Sequence, residues 1–263
     1  MLLLGPARLA KAQEEPIVTD RPDQTESAST APFGTVQLEV GWTLSTDRTF
    51  DFLTREHVVL GALARIGLGT RLEARIGFAG WTTQMNEPPT GPTFDRSGLG
   101  DLDVGVKLKL ADASARRPAV AVLGTLALPT GAEPFQRRRA DPRVRLAFAH
   151  ELSDRVGLGY NVGTEWNTEC DPTIADACGE RAFTDGFYTV AFGFSLTDAL
   201  GAFIESFGTV PLNEGRVTRH AVDGGFTFLL RENLQFDVHG GVGANDEAGD
   251  WFVGAGVAVR LPK

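Results

Sequence analysis

Residues 98–110 read Gly-Leu-Gly-Asp-Leu-Asp-Val-Gly-Val-Lys-Leu-Lys-Leu. In an extended chain successive side chains point to opposite sides. Leu102, Val104, Val106, Leu108 and Leu110 therefore share one face, and Asp101, Asp103, Gly105, Lys107 and Lys109 share the other. One face suits an apolar medium and the other suits water. A single strand of this kind is ordinary, but the pattern recurs to the end of the chain. Each repeat is long enough to span an outer membrane, which takes roughly 9 to 11 residues when the strand is tilted.

Outward from that stretch, twelve strands are expected near 35–46, 55–67, 70–82, 99–111, 118–129, 141–152, 155–167, 182–196, 199–210, 217–230, 234–244 and 250–261. Their connections alternate. Short ones at 67–69, 112–117, 153–154, 197–198 and 231–233 carry turn residues, while 83–98, 130–140 and 168–181 are longer and richer in Pro, Gly and charge. No stretch approaches the ~18 unbroken apolar residues of a membrane helix, so a membrane-spanning part has to be a closed barrel. The expected fold class is all-β: a transmembrane, antiparallel, up-and-down β-barrel of about twelve strands with short periplasmic turns and longer external loops. Trp42, Trp166 and Trp251 fall toward the long-loop ends of lipid-facing strands, and Phe148, Phe194, Phe228 and Phe236 toward the short-turn ends, as two interfacial girdles would. Trp81 has the inward parity of its strand and does not fit.

The chain carries 31 glycines in 263 residues, above the usual ~7%. A net charge of -9 argues against a nucleic-acid partner. Residues 1–12, with Leu2 to Leu4 and Ala10-Lys11-Ala12, look like the remnant of a signal peptide, the alternative being a plain disordered terminus. Residues 13–33 form a polar segment containing Asp20, Arg21, Pro22, Asp23 and Glu26, and 34–263 make the barrel.

The run Thr19-Asp20-Arg21-Pro22-Asp23-Gln24-Thr25-Glu26-Ser27, followed by Gly34 and Gln37-Leu38-Glu39-Val40-Gly41, resembles the opening of the outer-membrane transporter family named for the MetA pathway of phenol degradation. The 98–110 strand and Leu126-Ala127-Leu128-Pro129-Thr130-Gly131 are similar to internal motifs of that family. The resemblance implies a barrel in the bacterial outer membrane with a transport role, and it brings no agreed catalytic or binding residues.

By parity the lumen is lined by the acids Glu39, Glu73, Asp101, Asp103, Glu151, Glu165, Glu205, Asp223, Asp237 and Asp250 and by the bases Arg55, Arg65, Arg71, Arg75, Lys107, Lys109, Arg143, Arg145, Arg219 and Arg260. His57 and His239 also take inward parity. Acids and bases balance, which suggests a wall braced by ion pairs rather than a field of one sign. Twelve strands enclose a narrow or plugged bore. Gly241, Gly243, Gly254 and Gly256 leave a smooth inner patch where a second backbone could approach, so residues 13–33 either sit partly in the lumen or hang as a periplasmic tail.

Cys170 and Cys178 share one long loop and in an oxidising compartment are expected to form a disulfide. Two cysteines without further ligands make no zinc site, and no cofactor is expected. Arg137-Arg138-Arg139 is a compact basic run suited to lipopolysaccharide phosphates, beside the alternative of a plain solvated loop. His150 and Ser153 are the nearest approach to a nucleophile and base, and strand geometry separates them. The expected role is a passive route for a small solute, aromatic or otherwise apolar by the resemblance, with outer-membrane lipid and lipopolysaccharide as surroundings. A structural or adhesive surface barrel and a lipid-modifying enzyme are the alternatives.

Overall fold

The computed structural model describes residues 16–49, 51–114, 117–171, 179–213 and 216–261. The signal-peptide expectation for 1–12 lies outside these residues. The chain forms β1 Val36–Thr49, β2 Phe52–Gly67, β3 Leu72–Phe78, β4 Trp81–Glu87, β5 Phe94–Leu99, β6 Leu102–Ala111 and β7 Ala119–Leu128. It continues with β8 Asp141–Ser153, β9 Val156–Asp171, β10 Gly179–Ser195, β11 Leu200–Pro211, β12 Arg219–Arg231, β13 Leu234–Gly243 and β14 Trp251–Leu261. Each strand pairs antiparallel with its neighbours, and β1 pairs with both β14 and β2, which closes the sheet. Closure leaves no free edge, so backbone polar groups within the membrane are paired strand to strand.

The fourteen strands make twelve staves. β3 and β4 both lie against β2, β6 pairs with β3, and β5 pairs with β4, so 72–87 and 94–111 are two long staves, each interrupted once. The interruptions at Ala79-Gly80 and Gly100-Asp101 face each other, joined by Ala79 N donating to Asp101 O (2.9 Å) and Gly100 N to Gly80 O (2.8 Å). β2 has its own irregularity beside them, where Trp42 of β1 faces a slip between Val58 and Gly61, and Leu60 takes a φ of 59°. Gly80, at φ 94°, has to be glycine on two counts, because a Cβ there would come 2.6 Å from the Val59 carbonyl.

These irregularities correct two parity readings. An inserted residue moves every later side chain to the other face. Beyond Gly80 the buried positions are Thr82 and Asn86, so Trp81 points outward and is 43% exposed. It thereby joins the outer aromatic band it had seemed to violate. In β2 the same slip turns His57 outward, where its ring lies 6.3 Å from that of Trp42. Residues 83–98, expected as a loop, are mostly strand, with only 88–93 as the turn. Thr82, Thr83, Gln84 and Asn86 show no apolar alternation because that part of the stave pairs with β2 beyond the apolar band.

Side-chain placement is inside-out relative to a water-soluble protein. Leu102, Val104, Val106, Leu108 and Leu110 are all exposed, to lipid, whereas the largest fully buried side chains are Arg65, Lys107, Gln37, Glu39, Glu73, Glu205 and Asn161. No described helix is long and apolar enough to cross a membrane, and the crossing is made by strands.

Candidate functional site

Residues 16–35 run along the inner surface of the barrel, starting and finishing at the short-turn end. Ile17 N donates to Glu232 O in the β12–β13 turn (2.8 Å), and Gly34 N donates to Gly67 O at the end of β2 (2.8 Å). Between these points the segment is held chiefly by side chains of the wall. Glu39 accepts the amides of Asp20 and Arg21, both at 3.0 Å. Gln37 Nε2 and Arg65 Nη1 each donate to the Val18 carbonyl at 2.9 Å. Glu205 accepts Gln24 N (2.7 Å) and the Thr25 hydroxyl (2.5 Å). Asn161 accepts Glu26 N and donates to Glu26 O. Glu73 accepts Ala31 N (2.6 Å). A non-repetitive chain has no ladder of its own, so its buried amides take their partners from strand side chains.

Asp20 is the centre of this arrangement. Its carboxylate lies 2.6 Å from Arg75 Nη1, 2.9 Å from Lys107 Nζ and 3.3 Å from Arg65 Nη1. It also accepts the amide and hydroxyl of Ser27, at 2.8 and 2.7 Å. Burial by itself would raise its pKa, but Arg65, Lys107 and Arg75 together hold it well below the usual carboxylate range. Glu73, Glu39 and Glu26 complete the cluster, Glu73 bridging Arg65 and Arg75 and Glu26 lying 2.6 Å from Arg75. Asp23 is in the opposite situation. Burial, then the neighbouring Glu205 carboxylate, pushes its pKa well above the ordinary value.

Glycines let the segment lie flat on the wall. The Arg21 guanidinium rests over Gly41 and Gly256, which face each other across β1 and β14, and reaches Asp237 at 3.2 Å. A Cβ at Gly41 or Gly256 would overlap it. Gly67 admits the carbonyls of Ala31 and Pro32, and Gly159 meets Thr25. Of the patch expected to receive the segment, only Gly256 does so. Gly241 lies under the Phe252 ring, Gly254 under His239, and Gly243 against Ala248 and Gly249. Ala28 packs with Ala121, Leu123 and Ala147 in a small apolar cluster.

The remaining lumen candidates divide by height. Asp223 is buried directly opposite Glu205 on the adjacent strand. His239 is buried 3.7 Å from Asp237, and Arg260 is buried near the short-turn end. Asp103 lines the wall against Gly77. Asp101 holds the 130–140 loop, accepting the amides of Thr130, Gly131 and Arg137 at 2.9, 2.7 and 2.8 Å. Arg143 pairs with Glu165 at 2.7 Å. Others are not in this interior network. Arg71 and Lys109 reach past the strand ends to Asp112 in the short turn, and Arg219, exposed toward the opposite mouth, lines the cavity above the segment. Alternation gives a side chain's face but not its height, and near a rim a long basic side chain reaches water. Gln37, Asn161 and Thr189 contribute to the interior although they were not among the candidates; their inward parity was the available signal.

In the basic run, Arg137 lies 3.3 Å from Asp141 and Arg139 pairs with Glu180, leaving Arg138 exposed between them. The Cys170–Cys178 expectation falls outside the described side chains. His150 Nε2 lies 3.3 Å from the Tyr160 hydroxyl, not against Ser153.

Above the segment, toward the long-loop end, is a cavity of about 590 Å³. Gln24 forms part of its floor, and Arg143, Arg145, Phe187, Phe207 and Phe252 line its wall. The Phe207 and Phe252 rings meet edge to face at 6.3 Å. A second cavity of about 460 Å³ lies under the 130–140 loop, against Asp103, Arg137 and Asn167.

A closed twelve-stave barrel with a polar interior and a lipid-facing apolar belt is a bacterial outer-membrane β-barrel. Residues 19–261 match the family described as "Putative MetA-pathway of phenol degradation", and the chain belongs to that family. No curated protein is matched by the sequence. Among solved structures it is similar to an outer membrane channel from Pseudomonas putida F1 (13% identity, TM-score 0.71, 89% of this chain and 98% of that one). It is also similar to the translocator domain of the autotransporter NalP from Neisseria meningitidis (10%, TM-score 0.61, 86% and 87%). A third is the porin NanC (8%, TM-score 0.55, 86% and 100%). At these identities the likeness is one of fold.

Proposed function

We propose that this protein is a passive outer-membrane channel for small aromatic or otherwise apolar solutes, narrowed by residues 16–35. The observation that carries the reading is the 590 Å³ cavity, which has three phenylalanines on its wall and Gln24 of the segment in its floor. A solute entering from outside meets apolar surface first and the segment next. Passage then requires the segment to move, and the contacts that hold it are hydrogen bonds and ion pairs rather than a continuous strand ladder. Family membership supports transport over a purely structural or adhesive role. The bond between His150 and Tyr160 supports a conduit over a lipid-modifying enzyme, because it leaves Ser153 without that base. Around the mouth, the exposed Arg138 is the residue of the basic run best placed for lipopolysaccharide phosphate.

The test is deletion of residues 14–32 with any preceding leader retained. Single-channel conductance in planar bilayers should rise, and liposomes should swell faster in benzyl alcohol. Unchanged values from a correctly folded barrel would refute the proposal that the segment narrows the bore.

A further inference from the structure

The cavity wall carries a cation whose hydrogen bonds go to neutral acceptors. Arg145 Nη1 donates to the Gln24 carbonyl (2.9 Å) and to Asn161 Oδ1 (3.0 Å), both uncharged. Among the described residues Arg145 makes no ion pair with a carboxylate, and its Nε and Nη2 donors carry no bond to the protein. Arg143, two positions earlier on the same face, is by contrast paired with Glu165. An arginine held by neutral acceptors keeps its full charge and part of its fork for a ligand.

The neighbouring strand supplies an aromatic surface for that guanidinium. Gly163 stands between Arg145 and Phe187 in register, the cross-strand partner of both. A Cβ at Gly163 would overlap the Phe187 ring, so the absence of a side chain there lets the ring lie across β9. The Arg145 guanidinium carbon is then 4.8 Å from the ring centroid. Phe207 and Phe252 line the same cavity. A ligand fitting these groups has a flat apolar body and one anionic end.

Resting on the channel reading above, we infer that this cavity is a binding site for aromatic carboxylates, with the carboxylate on Arg145 and the ring among Phe187, Phe207 and Phe252. The site accounts for a conduit that admits an amphipathic anion past an apolar surface without a generally positive lumen.

The test uses the purified full-length barrel in detergent, titrated calorimetrically with sodium benzoate and, separately, with benzyl alcohol. Wild type should bind benzoate saturably and more tightly than the alcohol. Arg145→Gln should weaken benzoate about tenfold or more, in line with loss of one charged hydrogen-bonded pair, and leave the alcohol little changed. Arg145→Lys should fall between. Should Arg145→Gln not fold, Phe187→Leu serves instead and should weaken benzoate several-fold. Equal benzoate affinity in wild type and in the folded variant overturns the inference. So does an Arg145→Gln barrel that gains conductance, by loss of the Gln24 contact, without losing benzoate. Benzyl alcohol flux through the barrel lacking 14–32 reports on the conduit separately, so its failure refutes the channel reading whatever benzoate does.

Discussion

Replacing Asp20 by Asn removes one charge and almost no volume from the point where the segment is held most tightly. The carboxylate lies within 3.3 Å of three cations, Arg65, Arg75 and Lys107, all nearly inaccessible to water. At an effective dielectric constant near 20, one pair at such a distance is worth about 5 kcal/mol before desolvation. Removing one member of a buried network costs about 3 to 5 kcal/mol net, because the partners stay buried and lose compensation. Asparagine retains an acceptor for the Ser27 amide, so the loss is that of the charge. Much of the barrel ladder is untouched, and the cost falls mainly on docking of residues 16–35. With each 1.4 kcal/mol worth tenfold, the docked population should drop by roughly a hundred- to several-thousand-fold relative to the displaced one. Hydrogen exchange reads this directly, because the amides of Asp20, Gln24, Glu26 and Ala31 donate to side chains of the wall. Their protection should collapse and single-channel conductance should rise. Unchanged protection and conductance, in a barrel that still shows heat-modifiable migration, would refute the claim that Asp20 anchors the segment.

The raised pKa of Asp23 makes docking weaken as pH rises. The docked form holds this proton more tightly than the free segment, so its contribution is complete below the ordinary carboxylate value near 4 and is lost from there upward. Asp20 acts with the opposite sign, but its depressed pKa confines that loss to still lower pH. Conductance should therefore increase from acid toward neutral and alkaline pH, and Asp23→Asn, which cannot ionise beside Glu205 and Asp223, should flatten the increase; an identical profile in the variant excludes Asp23 as the cause. In β14, Val257→Arg on the lipid face should lower barrel stability by about 2 to 4 kcal/mol in denaturant titration. Gly256→Ser, one residue away, faces the lumen and should change stability less while loosening Arg21; if Gly256→Ser is the more destabilising of the two, the register of β14 is misassigned.

The sequence by itself determined that the chain is a membrane barrel, because alternation of side chains along a strand is a local property. Leu102 to Leu110 on one face against Asp101 to Lys109 on the other needs no knowledge of neighbours. The short turns expected at 153–154 and 197–198 were readable to within about a residue, lying at 154–155 and 196–199, since Asp154, Thr197 and Asp198 carry their own turn chemistry. Parity failed at Trp81 and His57, where the chain slips at Leu60 and Gly80. That slip follows from how β2, β3 and β4 meet at one height, which no single strand encodes. The charged interior was visible as a list, but only closure of β1 onto β14 and β2 decides that Arg65, Arg75 and Lys107 converge on Asp20 while Arg71 and Lys109 end at the rim. The pairing of Arg145 with Phe187 across Gly163 depends in the same way on the register of three strands. Hydrophobic alternation is set residue by residue, whereas the partner of a buried charge is set by which residues closure of the barrel brings to the same depth.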